Sequence, residues 1–302
     1  MSVLHVLLPP LQTGNESGLR RWLARGDRLP DVPGSRDAAV RGLFRFAGAE
    51  IPAAALRHHV RADDAGVGSW VCADPAYVRS EATGARLMAW PLGDVSDEEA
   101  RELTVVLKPL FGDAGVPLMV DTPSAWCLHQ AVAAPRVEFA HPAAALGVNL
   151  LECLPEGDAG RRWRHLFNEA QVALHAHPVN AARTAAGKLP VNALWFWGAG
   201  RLPESVETTL ALVASRDDVV RGLAKAARMA CVEPSPEAAN ASTGDVLLDL
   251  DVRGQAGISP RWLAHFQRWL RKRRFDVIEI AFPDGERFRM RHAHRLRFWR
   301  RT

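Results

Sequence analysis

His175-Ala-His-Pro-Val-Asn-Ala-Ala-Arg-Thr-Ala-Ala-Gly-Lys-Leu-Pro-Val-Asn-Ala-Leu-Trp-Phe-Trp-Gly-Ala-Gly200 lies near the middle of the chain. This central motif combines polar side chains, two tryptophans and three glycines, and it lies between two helical patterns. In a strand, Trp195 and Trp197 would point to one face and Phe196 to the other. We therefore expect a helix that ends near Pro178 and a strand that includes the tryptophans, as in an α/β protein.

The composition of the 302-residue chain, 48% hydrophobic and 24% charged, is that of a globular protein with a sizeable core. Apolar runs such as Val3 to Leu8 are far shorter than the roughly 18 residues of a membrane span. No basic region precedes an apolar one at the N-terminus. We expect a soluble, cytoplasmic protein with no signal peptide and no membrane partner.

The four cysteines are dispersed, and none forms a C-x-x-C pair. Their spacing indicates neither a zinc knuckle nor a small disulfide framework. Buried thiols in a reducing compartment are the simpler interpretation.

Local patterns predict most helices and strands. Ser96-Asp-Glu-Glu99 is a capping box that should begin a helix from Asp97 to Leu110, and Ser259-Pro260 should begin another. The further predicted helices are Gly18 to Ala24, Gly160 to Ala176, Ser205 to Val213 and Asp217 to Met229. The predicted strands are Val3 to Leu8, Ser69 to Ala73, Ala85 to Trp90, Val116 to Val120, Ala125 to His129, Asp245 to Val252, Phe275 to Phe282 and Arg287 to Phe298, with a loop from Asp74 to Arg79.

Strands interspersed with helices predict a three-layer α/β fold with a mixed, mostly parallel sheet and the C-terminal β-hairpin at its edge. We expect a single domain over residues 1–302, within which residues 60–150 could form a subdomain.

The central motif also contains the candidate binding residues. An arginine with two amides can clamp a phosphate or carboxylate, while glycines let the backbone approach the ligand. The alternative is a polar loop that caps its own backbone, with tryptophans that belong to the core. His175 and His177 could share a metal ion only with further ligands, which the motif lacks. The candidate ligand-binding residues are His177, Asn180, Arg183, Asn192, Trp195, Trp197, Gly198 and Gly200.

The C-terminal segment from Arg268 has 12 Lys and Arg against 4 Asp and Glu, a net charge of +8. Alternation would place Arg287, Arg289, Arg291, Arg295 and Arg297 on one face of a strand. Such charges protect an edge strand from aggregation, or they bind nucleic acid.

Two sets of residues resemble known families. Ala73-Asp-Pro75, Val78-Arg79, Asn168-Glu169, His177 to Asn180, Arg183, Gly187, Asn192 to Gly198, Gly200 to Pro203 and Arg297 to Arg300 resemble the RpfE-type regulatory proteins of bacteria, which are described as phosphoglycerate mutase-like. Arg183, Gly187, Pro190, Asn192, Leu194 to Gly200 and Val219 to Lys225 are similar to archaeal-type, cofactor-independent phosphoglycerate mutases. The resemblance implies an alkaline phosphatase-like core, in which aspartates and histidines hold two divalent metals beside a serine or threonine nucleophile.

The chain departs from those enzymes where the metals bind. The first strand runs into Pro9-Pro10 instead of Asp-Gly, and Arg253 to Ser259 contains no histidine. Two metals need their ligands, so we expect a non-catalytic pseudoenzyme without a metal cofactor, a regulatory protein that binds a phosphorylated metabolite. The alternatives are a divalent-metal-dependent phosphoglycerate mutase or phosphatase, and a nucleic-acid-binding regulator that uses the arginine-rich hairpin. The sequence leaves the oligomeric state open.

Overall fold

Helices and strands alternate along the chain in the computed structural model, which describes residues 1–11, 17–31, 35–82, 84–131, 137–251 and 257–297. The strands among these residues are β1 (Val3–Leu7), β2 (Asp27–Leu29), β3 (Ser69–Glu81), β4 (Gly84–Ala89), β5 (Leu118–Thr122), β6 (Ala125–Gln130), β7 (Ala193–Gly200), β8 (Leu212–Ala214), β9 (Cys231–Val232), β10 (Val246–Asp249), β11 (Val277–Ala281) and β12 (Arg287–Arg291).

The helices are α1 (Ser17–Leu23), α2 (Ser35–Leu43), α3 (Ala53–Arg61), α4 (Asp97–Asp113), α5 (Pro142–Ala145), α6 (Leu150–Cys153), α7 (Gly157–His175), α8 (Pro178–Ala185), α9 (Asp218–Ala226), α10 (Pro236–Ala241) and α11 (Pro260–Arg271), and a 3-10 helix covers His292–Leu296. None of the described helices has both the length and the apolar content that a membrane span requires.

The chain forms two compact units. The discontinuous unit combines Met1–Ala49 with Pro203–Thr302, and the inserted unit is Glu50–Leu202. The single domain expected over residues 1–302 stays a prediction.

The discontinuous unit contains a seven-stranded mixed sheet in the order β2-β12-β11-β1-β10-β8-β9. The five strands from β11 to β9 are parallel, while β12 pairs antiparallel with β11 and β2. The mixed, mostly parallel sheet was predicted and is confirmed, but the C-terminal hairpin is not its edge, because β2 pairs with the outer side of β12.

Side chains on both faces of this sheet are buried. Leu4 and Val6 of β1 belong to a core cluster that includes Phe266 and Trp269 of α11. Residues whose side chains point to the other face of the strand, such as Leu7, are buried as well. A strand buried on both faces lies in the middle layer of a three-layer α/β fold.

The inserted unit contains a five-stranded antiparallel sheet built on β3. Strands β4 and β6 pair with β3, β5 pairs with β6, and β7 pairs with β3 from Trp70 to Ala76. The thirteen residues of β3 therefore connect every other strand of the sheet, directly or through β6.

Two sequence predictions of local structure are wrong. Asp74 to Arg79 is not a loop, because Asp74, Pro75 and Ala76 pair with β7 inside one continuous strand. Ser205 to Val213 is not a helix. Its end forms β8, which pairs parallel with β10 and buries Val213.

The second strand of the terminal hairpin is also shorter than predicted. Strand β12 ends at Arg291, whose backbone N–H donates to His294 Nδ1 at 3.3 Å, and the 3-10 helix follows. The predicted end of that strand, Phe298, lies outside the described residues, as do Val252 and Arg253.

Candidate functional site

Acidic side chains gather at the carboxyl ends of β8 and β10 in the discontinuous unit. Neighbouring parallel strands end at the same edge of the sheet, where α/β proteins bind ligands. Asp249 ends β10, Asp251 follows it, and Asp217 follows β8 as the N-cap of α9. We call Asp217, Asp249 and Asp251 the aspartate cluster.

Arg36 of α2 lies among these three carboxylates. Its Nη2 donates to Asp249 Oδ2 at 2.6 Å, its Nε lies 3.2 Å from Asp251 Oδ2, and its Nη1 lies 3.7 Å from Asp217 Oδ1. Ser215 Oγ also donates to Asp249 Oδ2, at 2.6 Å. Helix α2 therefore places one fixed cation at the centre of the aspartate cluster.

Burial and charge act against each other in the cluster. Burial disfavours the charge of Arg36, but Asp217, Asp249 and Asp251 outweigh it, and the pKa of the guanidinium is raised above its usual range. Burial raises the pKa of Asp249. The positive charge of Arg36 lowers this pKa and the negative charge of Asp217 raises it, and the net shift is upward. The guanidinium thus provides the countercharge that allows the three carboxylates to lie so close together.

The chemistry of this edge is limited by the residues present. Pro9 follows β1 here, and among the described residues no histidine contributes to the aspartate cluster. A guanidinium cannot act as a Lewis acid or activate water as a metal ion does. The described residues of this edge hold Arg36 in place and contribute no histidine ligand to the three carboxylates.

The polar residues of the central motif lie in the inserted unit, where they bind other parts of the protein. Arg183, 1% exposed, donates to Asp94 Oδ1 at 2.7 Å and to Glu99 Oε2 at 2.8 Å. Its Nε donates to the Leu189 carbonyl. Ligand binding by Arg183 stays a prediction, and it would require these two carboxylates to release the guanidinium.

The two asparagines hold backbone segments together. Asn180 donates to the carbonyls of Leu174 and Val191 and accepts from the Val191 amide. Asn192 exchanges two hydrogen bonds with the backbone of Val78, at 2.7 and 2.8 Å. Both amides therefore connect the motif to its surroundings in the fold.

The remaining candidates shape the turns and the strand of the motif. His177 is the extended N-cap of α8 and accepts from the Val179 amide. Gly198 has φ +58°, and a Cβ there would lie 2.7 Å from that of Ala53. Gly200 has φ +156°, and a Cβ there would lie 2.7 Å from that of Pro52. Trp195 is buried and donates to the Ala140 carbonyl.

Trp197 donates a hydrogen bond to a residue whose role could not be predicted from the sequence. Its Nε1 donates at 2.8 Å to Asp74, a buried carboxylate that also pairs with both terminal nitrogens of Arg57. Trp90 Nε1 donates to the same carboxylate at 3.0 Å. Asp74 was predicted to lie in a loop, so the only sequence signal was its place in the Ala73-Asp-Pro75 motif.

A basic cavity of about 470 Å³ lies beside α11 in the discontinuous unit. Burial and the charges of Arg295 and Arg273 lower the pKa of His292 there. The arginines that line the cavity are Arg25, Arg268, Arg271, Arg291 and Arg295, and His292 and His294 line it as well.

The arginines predicted to share one face of the last strand differ in their partners. Arg289 pairs with Glu279 at 2.7 Å and Arg297 with Asp27 at 2.6 Å. Within the described part of the chain, no carboxylate pairs with Arg295, or with Arg25, Arg268 and Arg271 of the basic cavity. The cavity is therefore lined by four arginines that pair with no described carboxylate.

Comparisons with known proteins point to one enzyme family. No family model matches the chain. A segment of 158 residues is 29% identical to the 2,3-bisphosphoglycerate-independent phosphoglycerate mutase of Methanosarcina barkeri, covering 49% of this chain and 39% of that protein. A segment of 83 residues is 37% identical to a probable enzyme of the same name from Geobacter sulfurreducens, covering 26% and 21%. The matches thus span less than half the length of these relatives.

Two solved structures align along most of the chain at low similarity. The cofactor-independent phosphoglycerate mutase of Thermoplasma acidophilum has a TM-score of 0.40 at 14% identity, covering 96% of this chain and 90% of its own. A protein of Pyrococcus horikoshii has a TM-score of 0.42 at 15% identity, covering 95% and 86%. From the sequence matches, the chain is distantly homologous to cofactor-independent phosphoglycerate mutases.

Proposed function

We propose that this protein is a non-catalytic relative of the phosphoglycerate mutases, which acts as a regulatory protein by binding a phosphorylated small molecule. The observation that carries the proposal is Arg36 within the aspartate cluster. Carboxylates at the carboxyl edge of a parallel sheet suit divalent cations, and here a fixed guanidinium occupies the space between them. The regulatory role rests on the sequence resemblance to the RpfE-type proteins.

The basic cavity supports the ligand class. Arginine guanidinium groups bind phosphate oxygens in pairs of charge-assisted hydrogen bonds, and Arg268 and Arg271 have no described carboxylate partner. A volume of about 470 Å³ suits a small metabolite. The cavity therefore offers unpaired cations, whereas the guanidinium of Arg183 is already bound to Asp94 and Glu99.

Ligand binding is tested by calorimetry and thermal unfolding with 3-phosphoglycerate and inorganic phosphate. We expect binding by the wild type and at least tenfold weaker binding by Arg268→Ala/Arg271→Ala, since each charge-assisted hydrogen bond contributes about 1.5–3 kcal/mol. Arg216→Ala, an exposed arginine of the same unit outside the cavity, is the matched control. Equal weakening by the control, or no binding by the wild type, would contradict the proposal.

The absence of catalysis is tested separately, with phosphoglycerate mutase and phosphatase assays in added Mn²⁺ or Mg²⁺. We expect no activity above background. Metal-dependent turnover that is lost in Asp249→Asn would establish the enzyme hypothesis instead. Oligonucleotide binding that weakens steeply with salt and depends on the cavity arginines would favour the nucleic-acid hypothesis.

A further inference from the structure

Three potential metal ligands converge in the inserted unit. His58 comes from α3, Asp121 from β5 and Cys127 from β6. The pairing of β5 with β6 is irregular between Val120 and Thr122, so Asp121 lies at a bulge. Bulges redirect a side chain out of the regular pleat, and here the carboxylate reaches both His58 and Cys127.

The three ligand atoms are spaced as in a tetrahedral zinc site. Cys127 Sγ lies 3.6 Å from Asp121 Oδ2 and 3.8 Å from His58 Nδ1, and His58 Nδ1 lies 2.7 Å from Asp121 Oδ1. Ordinary zinc–ligand bonds place tetrahedral donor atoms about 3.5 Å apart. The two sulfur distances already match, and the imidazole and carboxylate need only separate by less than 1 Å.

The orientation of His58 is fixed by groups outside the three ligands. Its Nε2 lies 2.9 Å from Asp64 Oδ1, and its ring packs against Trp70, tilted by 30° with centroids 4.0 Å apart. A carboxylate on the far nitrogen of a histidine fixes the tautomer and ring orientation in zinc proteins. Asp64 is therefore a positioning residue that directs Nδ1 of His58 at Asp121 and Cys127.

A second cysteine lies next to the cluster. Cys72 of β3 is directly opposite Cys127 in the pairing of β3 with β6. Directly opposite residues of an antiparallel pair present their side chains on the same face, about 5 Å apart. Its Sγ accepts a hydrogen bond from Arg57 Nη1 at 3.1 Å, however, so Cys72 is held by a neighbouring cation and lies outside the set of three ligands.

We propose that His58, Asp121 and Cys127 bind one zinc ion, each through one atom. The thiolate and imidazole favour zinc over the harder magnesium and calcium ions. His58 and Cys127 are buried, so these two ligands would shield the ion from solvent. The site uses none of the residues of the aspartate cluster or the basic cavity, and it is independent of the proposed function.

The test is zinc binding by the metal-free full chain, measured by equilibrium dialysis with elemental analysis. We expect one zinc per chain for the wild type and for Cys153→Ser, a control thiol of the same unit. Cys127→Ser should lose the zinc. Co²⁺ in its place should give a thiolate-to-cobalt charge-transfer band in the wild type and in Cys153→Ser, and none in Cys127→Ser.

Asp64→Asn provides a second test, because the Asp64 side chain is 59% exposed and its substitution should not disturb folding. We expect zinc affinity to fall 10–100-fold in this variant. The proposal is overturned if the wild type binds no more zinc than Cys127→Ser, if cobalt binds without a thiolate band, or if Asp64→Asn binds zinc as tightly as the wild type.

Discussion

Asp74→Ala should be among the most destabilising single substitutions in the inserted unit. The side chain is 1% exposed, and its two oxygens accept five hydrogen bonds. Two come from Arg57 at 2.8 and 2.9 Å, and the others from Trp90 Nε1, Trp197 Nε1 and the Trp126 amide. The substitution leaves the buried guanidinium of Arg57 without its countercharge.

The expected loss of unfolding free energy is about 3–5 kcal/mol, the usual cost of removing one partner from a buried ion pair. Trp197→Phe removes one hydrogen bond to a charged acceptor and should cost about 1.5–3 kcal/mol. Arg57→Met/Asp74→Leu removes both charges, so no unpaired ion remains. The double variant should therefore be markedly more stable than the sum of its single substitutions predicts.

Urea unfolding followed by tryptophan fluorescence measures these differences. Six of the ten tryptophans lie between Glu50 and Leu202, so the signal reports mainly on the inserted unit. Circular dichroism should be recorded in parallel, because two units can unfold in separate transitions. Asp158→Ala is the control. Its side chain is 93% exposed, and its pair with Arg161 should contribute less than about 1 kcal/mol.

Two results would refute this reasoning. A cost below about 1 kcal/mol for Asp74→Ala would mean that solvent or another group compensates Arg57. Strict additivity in the double variant would mean that Arg57 and Asp74 do not depend on each other.

Three further perturbations test other parts of the fold. A hydrogen bond from His5 and nearby positive charge lower the pKa of Glu279 to about 2, so its contribution to stability is present above pH 4.5 and is lost as the pH falls toward 2. The shift corresponds to about 3 kcal/mol, which solvent screening reduces to about 1–2, and Glu279→Gln should flatten stability measured against pH in this range. Gly198→Ala should destabilise by more than about 1 kcal/mol in urea unfolding, because φ is +58° and there is no room for a Cβ. Its control, Gly42→Ala in α2, has open space around the new Cβ and should be neutral or stabilising. Arg36→Ala should leave the aspartate cluster free to bind a divalent cation, so the melting temperature of this variant should rise with Mn²⁺. The melting temperatures of the wild type and of Arg36→Lys should not change.

Each of these predictions has a clear negative result. A pH profile unchanged by Glu279→Gln would exclude that carboxylate as the source of acid sensitivity. Equal effects of the two glycine substitutions would show that the conformation of Gly198 costs nothing. Failure of Mn²⁺ to stabilise Arg36→Ala would remove the argument that the guanidinium replaces a divalent cation.

Features with local signals could be predicted from the sequence. The capping box at Ser96 and Glu99 begins α4 as expected, and Ser259 caps α11. These signals depend on residues three or fewer positions apart, which the sequence displays directly. The same locality explains why the mixed α/β class was predicted correctly.

Features that depend on distant partners could not be predicted. Asp74-Pro75 resembles a turn locally, but its pairing with β7, more than 100 residues later, makes it part of a strand. Arg36 is 213 residues from Asp249, and nothing in either neighbourhood indicates that they meet. The cysteine spacing does not point to the proposed zinc site, because His58, Asp121 and Cys127 come from three different elements.

The order of the two units along the chain has a consequence for synthesis on the ribosome. Strand β1 pairs on one side with β10 and on the other with β11, and about 240 residues separate β1 from β10. At about 5–20 residues per second, β1 emerges roughly 12–48 s before its first partner strand exists. All strands of the inserted sheet are complete before β10 is made, so that unit can fold first, while the apolar β1 must be kept from aggregating.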